Sequence, residues 1–180
     1  MRKIILLFTM VGVLSSCMDN TQIVQTDYTP GDVLVGIKNG TDMDAIFDLI
    51  NTHNHEVVWM LWLDFKSNLP IDKLFEVKSK LQEKSYLTNN GLRPNVFVDQ
   101  LTNQITASVS FYKMHNETYQ NDWLSTMTEF ELSIKQKQEG AIALIYFKVP
   151  VGSEIEWIER FRNENVVEYA GLNQIVRSAD

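Results

Sequence analysis

The chain has 180 residues, of which 44% are hydrophobic, and its 16 Lys and Arg against 23 Asp and Glu give a formal net charge of −7. This composition can bury the core of one globular domain, and it lacks the clustered cations that nucleic acid binding requires. The single cysteine excludes an internal disulfide and any metal site built from several thiolates.

The first residues have the pattern of a secretory signal. Arg2 and Lys3 form a positive start, and the apolar run that follows is too short to span a bilayer as a permanent helix. The run ends in Leu14-Ser15-Ser16-Cys17, which resembles the bacterial lipobox, where a signal peptidase cuts before a diacylglyceryl-modified cysteine. This implies removal of residues 1–16 and lipidation of Cys17. The alternative is an ordinary thiol beside an ordinary cleavage site.

The resemblance implies a lipoprotein of the bacterial cell envelope, periplasmic or surface-exposed, that is anchored to a membrane without spanning it. Loss of Arg2 and Lys3 with the signal would change the net charge from −7 to −9, which disfavours attraction to anionic lipid. Residues 17–30 are expected to be the lipidated cysteine and a polar tether, and residues 31–180 a single domain.

The domain is predicted to begin with strand, helix and strand. The turn signal Pro30-Gly31-Asp32 precedes an apolar strand over residues 33–38. Thr41 can cap the helix that follows. The apolar face of this helix is predicted from the positions i, i+3, i+4 and i+7, which are Met43, Ile46, Phe47 and Ile50. Residues 57–65, VVWMLWLDF, predict a strand covered on both faces for part of its length.

The middle of the chain is predicted to hold two helices and a hairpin. Pro70 suits the start of the first helix. The apolar stripe of this helix consists of Leu74, Val77 and Leu81. Residues 95–98 and 105–112 alternate as the strands of a hairpin, and residues 115–117 suit the start of the second helix. The face of the second helix is predicted from Trp123, Met127, Phe130 and Ile134. Gly140 is expected to end it.

The last third of the chain is predicted as strand, helix and strand. Residues 141–149 form a strongly apolar strand, and Ser153 with Glu156 forms a capping box. The buried stripe of the helix is predicted from Ile155, Trp157, Ile158 and Phe161. The final strand covers residues 166–170 and is expected to break at Gly171.

Without an insertion at about residues 68–140, this order is strand, helix, strand, strand, helix, strand. It is the order of a ferredoxin-like antiparallel sheet with both helices on one face. The sequence therefore predicts the α+β class, with a ferredoxin-like sheet extended by an inserted α/β segment.

Within this outline, two segments resemble a known family. PGDVLVGIKNGTDMDAIFDLI at residues 30–50 and VPVGSEIEWIERFRNENVVEYAGLNQIV at residues 149–176 are similar to the opening and closing segments of subtilisin propeptide-like domains, the proteinase inhibitor nine family. In that family a Pro-Gly turn introduces the first strand, and the last helix runs into a Val-Glu-Tyr-Ala signature.

The resemblance implies a protein partner. Domains of this family pack their sheet on a subtilisin-like protease and lay the C-terminal tail into its cleft, where backbone hydrogen bonds bind an extended peptide. Because the sequence ends at Asp180, we expect a protease partner in trans, with the chain acting as an inhibitor or a chaperone. The expected cleft-binding residues are Ile175, Val176, Arg177, Ser178, Ala179 and Asp180. The alternative is an edge strand followed by a frayed end.

No residue pattern indicates catalysis, a cofactor or a metal. The chain contains neither a Gly-x-Ser-x-Gly elbow nor a His-Glu-x-x-His motif. His53 and His55 lie two positions apart beside Glu56, but the spacing implies no third ligand, so we interpret them as a polar connection. The chain is expected not to be an enzyme.

Aromatic residues support an alternative function, binding of a glycan or peptide in the envelope. Three of the four tryptophans lie on stripes that are predicted to be core. Trp62 is the exception, because it is predicted to lie with Met60 and Asp64 on the strand face opposite Trp59. An aromatic ring exposed on a surface often marks a binding site, so Trp62 is the candidate ligand contact.

Overall fold

A computed structural model describes residues 27–137 and 139–175 of the chain. The expected signal, Cys17 and the tail residues 176–180 lie outside these ranges. The strands and helices in chain order are β1 (Tyr28–Ile37), α1 (Met43–His53), β2 (Glu56–Ser67), α2 (Leu74–Glu83), β3 (Asn95–Asp99), β4 (Gln104–Tyr112), α3 (Glu117–Glu129), β5 (Leu132–Ile134), β6 (Ala143–Lys148), α4 (Glu154–Arg162) and β7 (Val167–Gln174). None of these helices is long and apolar enough to cross a membrane.

The seven strands form one antiparallel sheet, so the chain belongs to the α+β class. Six strands lie in the order β3, β4, β2, β6, β1 and β7, and β5 pairs with β2. The first half of β2 pairs with β6 and its last three residues pair with β5, while β4 lies along the other edge. β2 therefore connects β6, β1 and β7 to the strands of the middle segment, β3, β4 and β5.

One face of the sheet packs against the helices. Side chains of β1 alternate, with Val33, Val35 and Ile37 fully buried in the core cluster. Phe147 of β6 stacks on Phe161 of α4, with ring centroids 4.6 Å apart. The buried stripes of α1, α2 and α3 join the same cluster, so a single core underlies the whole sheet.

Residues 68–140 extend the sheet beyond β2. This segment supplies α2, β3, β4, α3 and β5. Its core contact is Trp123 of α3, which is completely buried and lies edge-on to Phe65 of β2 and Phe111 of β4 at 5.0 and 4.8 Å. The predicted alternation of the hairpin is confirmed, because Ile105 and Ala107 both face this core.

Several predicted helix ends are wrong. Asp42 rather than Thr41 caps α1, since its carboxylate accepts the Ala45 N–H at 2.9 Å. Ser153 forms no capping box; its hydroxyl donates to the Pro150 carbonyl at 2.6 Å. The stripe of α4 also excludes Ile155, which is 63% exposed.

The second predicted helix of the middle segment ends early. α3 stops at Glu129 instead of Gly140, and Ile134 lies in β5. Glu131 has a φ of 48°, a left-handed conformation that an α-helix cannot contain. The start is as predicted, because Asn116 caps the helix by accepting the Thr118 N–H at 2.9 Å.

Two glycines that were expected at the boundary of a strand, Gly31 before β1 and Gly171 after β7, lie inside these strands. Residues 30–32 lie inside β1, which pairs irregularly with β7 between Tyr28 and Val33, and Gly31 has the positive φ of 79° that this irregularity requires. β7 continues through Gly171, which lies opposite Leu34. At Gly171 the pairing with β1 continues the strand.

Candidate functional site

The sheet face that points away from the core carries rows of side chains that cross several strands. An aromatic row follows directly opposed positions of β7, β1, β6, β2 and β4, namely Gly171, Leu34, Tyr146, Trp59 and Tyr112. A charged row consists of Asp32, Lys148 and Glu56. An apolar row consists of Tyr169, Gly36, Leu144 and Leu61. Opposed residues lie on the same face, so these rows form one surface.

The aromatic row is partly open to solvent. Leu34, Trp59 and Tyr146 are each half-buried, and none belongs to the core cluster. The rings of Trp59 and Tyr146 pack edge to face with centroids 5.0 Å apart. The centre of this face is therefore a partly exposed apolar surface. We call the whole sheet face that points away from the core the open face.

Tyr169 lies directly over Gly36 at the β7 edge of the open face. A Cβ on Gly36 would stand 2.3 Å from Cε1 of the Tyr169 ring, so only glycine permits this contact. The ring is nevertheless 44% exposed. It extends the apolar surface to the last strand of the sheet.

A buried carboxylate lies at one end of the open face. Asp32 is 0% exposed and accepts hydrogen bonds from the side chains of Tyr146, Lys148 and Asn173. Burial by itself would raise the pKa of Asp32, but these hydrogen bonds, led by that from Lys148, outweigh it and hold the pKa below its ordinary value. The same hydrogen bond to Asp32 raises the pKa of Lys148. The cluster links β1, β6 and β7 at this end.

Glu154 makes a second contact between distant parts of the chain. Its carboxylate accepts the N–H of Gly31 at 2.6 Å and the N–H of Gly152 at 2.9 Å. These backbone hydrogen bonds lower the pKa of Glu154. The contact fixes the start of α4 against β1, close to Asp32.

Trp62 lies on a β-bulge. Met60 pairs with Phe111 and Leu63 with Val109, so two residues of β2 stand opposite the single residue Ser110. Met60 and Leu63 are both buried in the core, whereas the Trp62 side chain is 54% exposed. The prediction that Trp62 shares a face with Met60 is therefore wrong, because the bulge breaks the alternation.

A groove lies beside Trp62 and has a volume of about 450 Å³. Its polar and charged lining consists of Asp64, Arg93, Ser108, Ser110, Tyr112 and Lys137. The Lys137 ammonium lies 5.9 Å from the centroid of the Trp62 ring. Asp64 accepts a hydrogen bond from the Ser108 hydroxyl at 2.5 Å. The exposed Leu92 and the ring of Trp62 supply apolar surface.

The groove contains more positive than negative charge. Arg93 forms no side-chain hydrogen bond or ion pair within residues 27–137 and 139–175. The Lys137 ammonium donates to the Ala141 carbonyl at 3.2 Å and has no carboxylate partner there either. Asp64 is the one carboxylate among the lining residues of the described chain. Two cations thus face one carboxylate on a chain whose net charge is −7.

The other predicted site residues lie apart from this groove. The Ile175 N–H donates to the Asp27 carbonyl at 2.8 Å, which places Ile175 beside the start of β1, and Val176 to Asp180 lie outside the described residues. His53 Nε2 lies 2.8 Å from a Glu164 carboxylate oxygen. His55 packs on Trp157, and burial lowers the pKa of His55. The described ranges contain no cluster of three metal-ligating side chains.

Comparison of the chain with protein family models, with characterised proteins and with solved structures finds no match in any of the three. The open face and the groove are therefore interpreted from their own chemistry. Sequence reasoning identified Trp62 but missed Arg93, Lys137 and Asp32. The fold brings these residues to their sites from segments that are distant in the chain, so no local spacing could have indicated them.

Proposed function

We propose that this protein is a lipid-anchored, non-catalytic binding module of the bacterial envelope that docks another protein on its open face. One observation carries the proposal: the open face exposes a continuous row of apolar and aromatic side chains across adjacent strands. Apolar surfaces rimmed by polar residues are typical of protein interaction sites. Lys148 and Glu56 of the charged row would form such a rim.

We further propose a ferredoxin-like unit at the centre of the fold. The order β2, β6, β1, β7, with α1 between β1 and β2 and α4 between β6 and β7, supports this assignment. It agrees with the resemblance to subtilisin propeptide-like domains, which present this sheet face to a protease. The proposed partner is therefore a subtilisin-like protease in trans, and the chain would act as its inhibitor or chaperone.

A single substitution tests the docking surface. Leu34→Lys would introduce a charge in the middle of the aromatic row, and we expect at least a tenfold weaker affinity for the partner, since burying an unpaired charge in an interface is unfavourable. The measurement is the inhibition and binding of purified subtilisin-like proteases by the purified protein. Ile155→Lys, at a 63% exposed position on α4, is the matched control and should bind like the wild type.

Two outcomes would contradict this function. In the first, the wild type neither binds nor inhibits any of the purified subtilisin-like proteases, and Leu34→Lys recovers the same envelope proteins as the wild type. In the second, both variants bind equally well. Truncation after Asn173 tests the tail separately: if the tail occupies the cleft, truncation should abolish inhibition and leave docking on the open face measurable.

A second candidate function is binding of a glycan or peptide ligand of the envelope. The groove beside Trp62 favours it, because a 54% exposed indole lies next to hydroxyl groups and charges. Tyr112 belongs to both surfaces, but this function centres on Trp62, Arg93 and Lys137, which lie outside the rows of the open face, so the two functions can be tested separately.

A further inference from the structure

The backbone of Trp62 is strained in a way that favours exposure of its side chain. Trp62 has a φ of 71°, a conformation that is rare for large side chains and costs about 1–2 kcal/mol. Strain of this kind occurs preferentially at functional sites. Here it belongs to the bulge that turns the indole away from the core and into the groove. Stability by itself would favour a regular strand with this apolar side chain buried.

Charge determines which ligands suit the groove. Arg93 and Lys137 have no carboxylate partner in the part of the chain that the structure describes. An anionic group can pair with such cations without displacing an internal ion pair, and Arg93 offers the planar donor arrangement that binds a carboxylate through two hydrogen bonds. The best fit is therefore a ligand that carries a negative charge for these cations and, close to it, a flat and weakly polar face for the Trp62 ring.

Hydroxyl-binding groups complete the site. The Asp64 carboxylate, held by Ser108, provides acceptor oxygens, and Ser110 and Tyr112 carry hydroxyl groups at the same groove. These groups match a ligand that has many hydroxyls, while the exposed indole provides a flat face against which the C–H groups of a sugar ring can pack. An acidic peptide would use the cations and leave most of these polar groups without a partner.

We propose that the groove beside Trp62 binds an acidic saccharide. The pyranose ring packs on the indole of Trp62, the sugar carboxylate pairs with Arg93 and Lys137, and sugar hydroxyls donate to Asp64. The proposal rests on the ligand-binding function of the groove and is independent of protein docking on the open face.

The binding test uses matched probes of defined charge. The probes are trigalacturonic acid, its fully methyl-esterified form, and the tripeptide Glu-Gly-Glu, and each is titrated into the purified protein by calorimetry. The ester keeps the sugar rings and removes the charge. We expect trigalacturonic acid to bind at least tenfold more tightly than the ester, with an affinity that falls as salt is added. The tripeptide should bind more weakly than either sugar.

Variants connect the binding to the residues. Arg93→Gln and Lys137→Gln should each weaken binding of trigalacturonic acid about tenfold and leave the ester unaffected. Trp62→Gly, which suits the left-handed backbone, should weaken binding of both sugars by at least tenfold. The controls are Lys78→Gln and Phe75→Ala on the exposed side of α2, away from the groove. Neither control should change any affinity.

Each contrary result has a distinct meaning. Equal binding of the ester would overturn the acidic preference while leaving the ligand-binding function intact. Binding of the tripeptide in preference to the sugars would overturn the saccharide and assign a peptide. If no probe binds, the acidic-saccharide proposal fails. Protein docking on the open face would stand or fall separately with Leu34→Lys.

Discussion

At the scale of single residues, the burial of Asp32 differs most from what the sequence predicts. An aspartate directly after Pro-Gly is expected in an exposed turn. The structure buries it completely, with Tyr146, Lys148 and Asn173 as hydrogen-bond donors. A buried carboxylate is tolerated only when such partners satisfy it. The donors come from strands that lie far away in the sequence, so the sequence alone could not indicate the cluster.

Asp32→Asn should destabilise the protein in a pH-dependent way. The Asp32 pKa is lower in the folded protein than in the unfolded chain, so its contribution is present above an unfolded pKa of about 4 and is lost as the pH falls through the folded pKa. At pH 7 we expect the free energy of unfolding of the variant to be about 2 kcal/mol lower than that of the wild type, because Lys148 loses its charged partner. Urea unfolding at pH 7 and pH 3 measures the difference.

The difference between the two proteins should shrink at pH 3, because the carboxyl is then largely neutral in the unfolded chain and its charge contributes less to folding stability. Asp48→Asn, at an exposed position of α1, is the control and should alter stability little at either pH. An equal loss of stability at pH 7 and pH 3 would show that the Asp32 charge has no role.

At the scale of elements, hydrophobic patterns predicted most strands and helices but not their irregularities. The stripe of α2 and the alternation of β4 were clear, because one face of each element is buried. β2 was harder to predict, since VVWMLWLDF is apolar at nearly every position and thus has no alternation to assign faces. Its pairing shifts twice, at Val58 against β6 and between Met60 and Leu63 against β4. These bulges reverse the face that simple alternation gives to Trp62.

The left-handed conformation at the bulge predicts that glycine is more stable than alanine at position 62, the reverse of the usual order in a strand. In a regular strand, Ala is more stable than Gly by roughly 0.5–1 kcal/mol. At Trp62 the order should reverse, and Trp62→Gly should be more stable than Trp62→Ala by about 1 kcal/mol, because a Cβ is unfavourable at a φ of 71°. The free energies of unfolding of both variants, measured in urea, test this.

Phe97 provides the matched control for the bulge. It lies on β3, is 40% exposed and has no positive φ, so Phe97→Ala should be more stable than Phe97→Gly. If Ala is the more stable residue at both positions, then the left-handed conformation of Trp62 contributes no strain, and the argument from strain to function fails.

At the scale of the whole molecule, the sheet joins strands from both ends of the described chain to the strands of residues 68–140. The first and last strands of the described chain pair directly, as β1 and β7. Local patterns could not show where residues 68–140 attach, because pairing between distant strands depends on register and twist rather than on any one segment. The contact of Trp123 with Phe65 shows the result, since α3 packs directly on β2.

The shared core predicts that the described domain unfolds as one unit. Leu81→Ala, at a fully buried position on α2, should lower the free energy of unfolding by about 2–5 kcal/mol. Because the core is continuous, the loss should appear equally in amide hydrogen exchange of β1 and of β4. Phe75→Ala, on the same helix but 81% exposed, should change exchange in neither strand. If Leu81→Ala speeds exchange in β4 while β1 keeps its wild-type protection, the insertion unfolds independently, and the open face and the groove beside Trp62 belong to separate cooperative units.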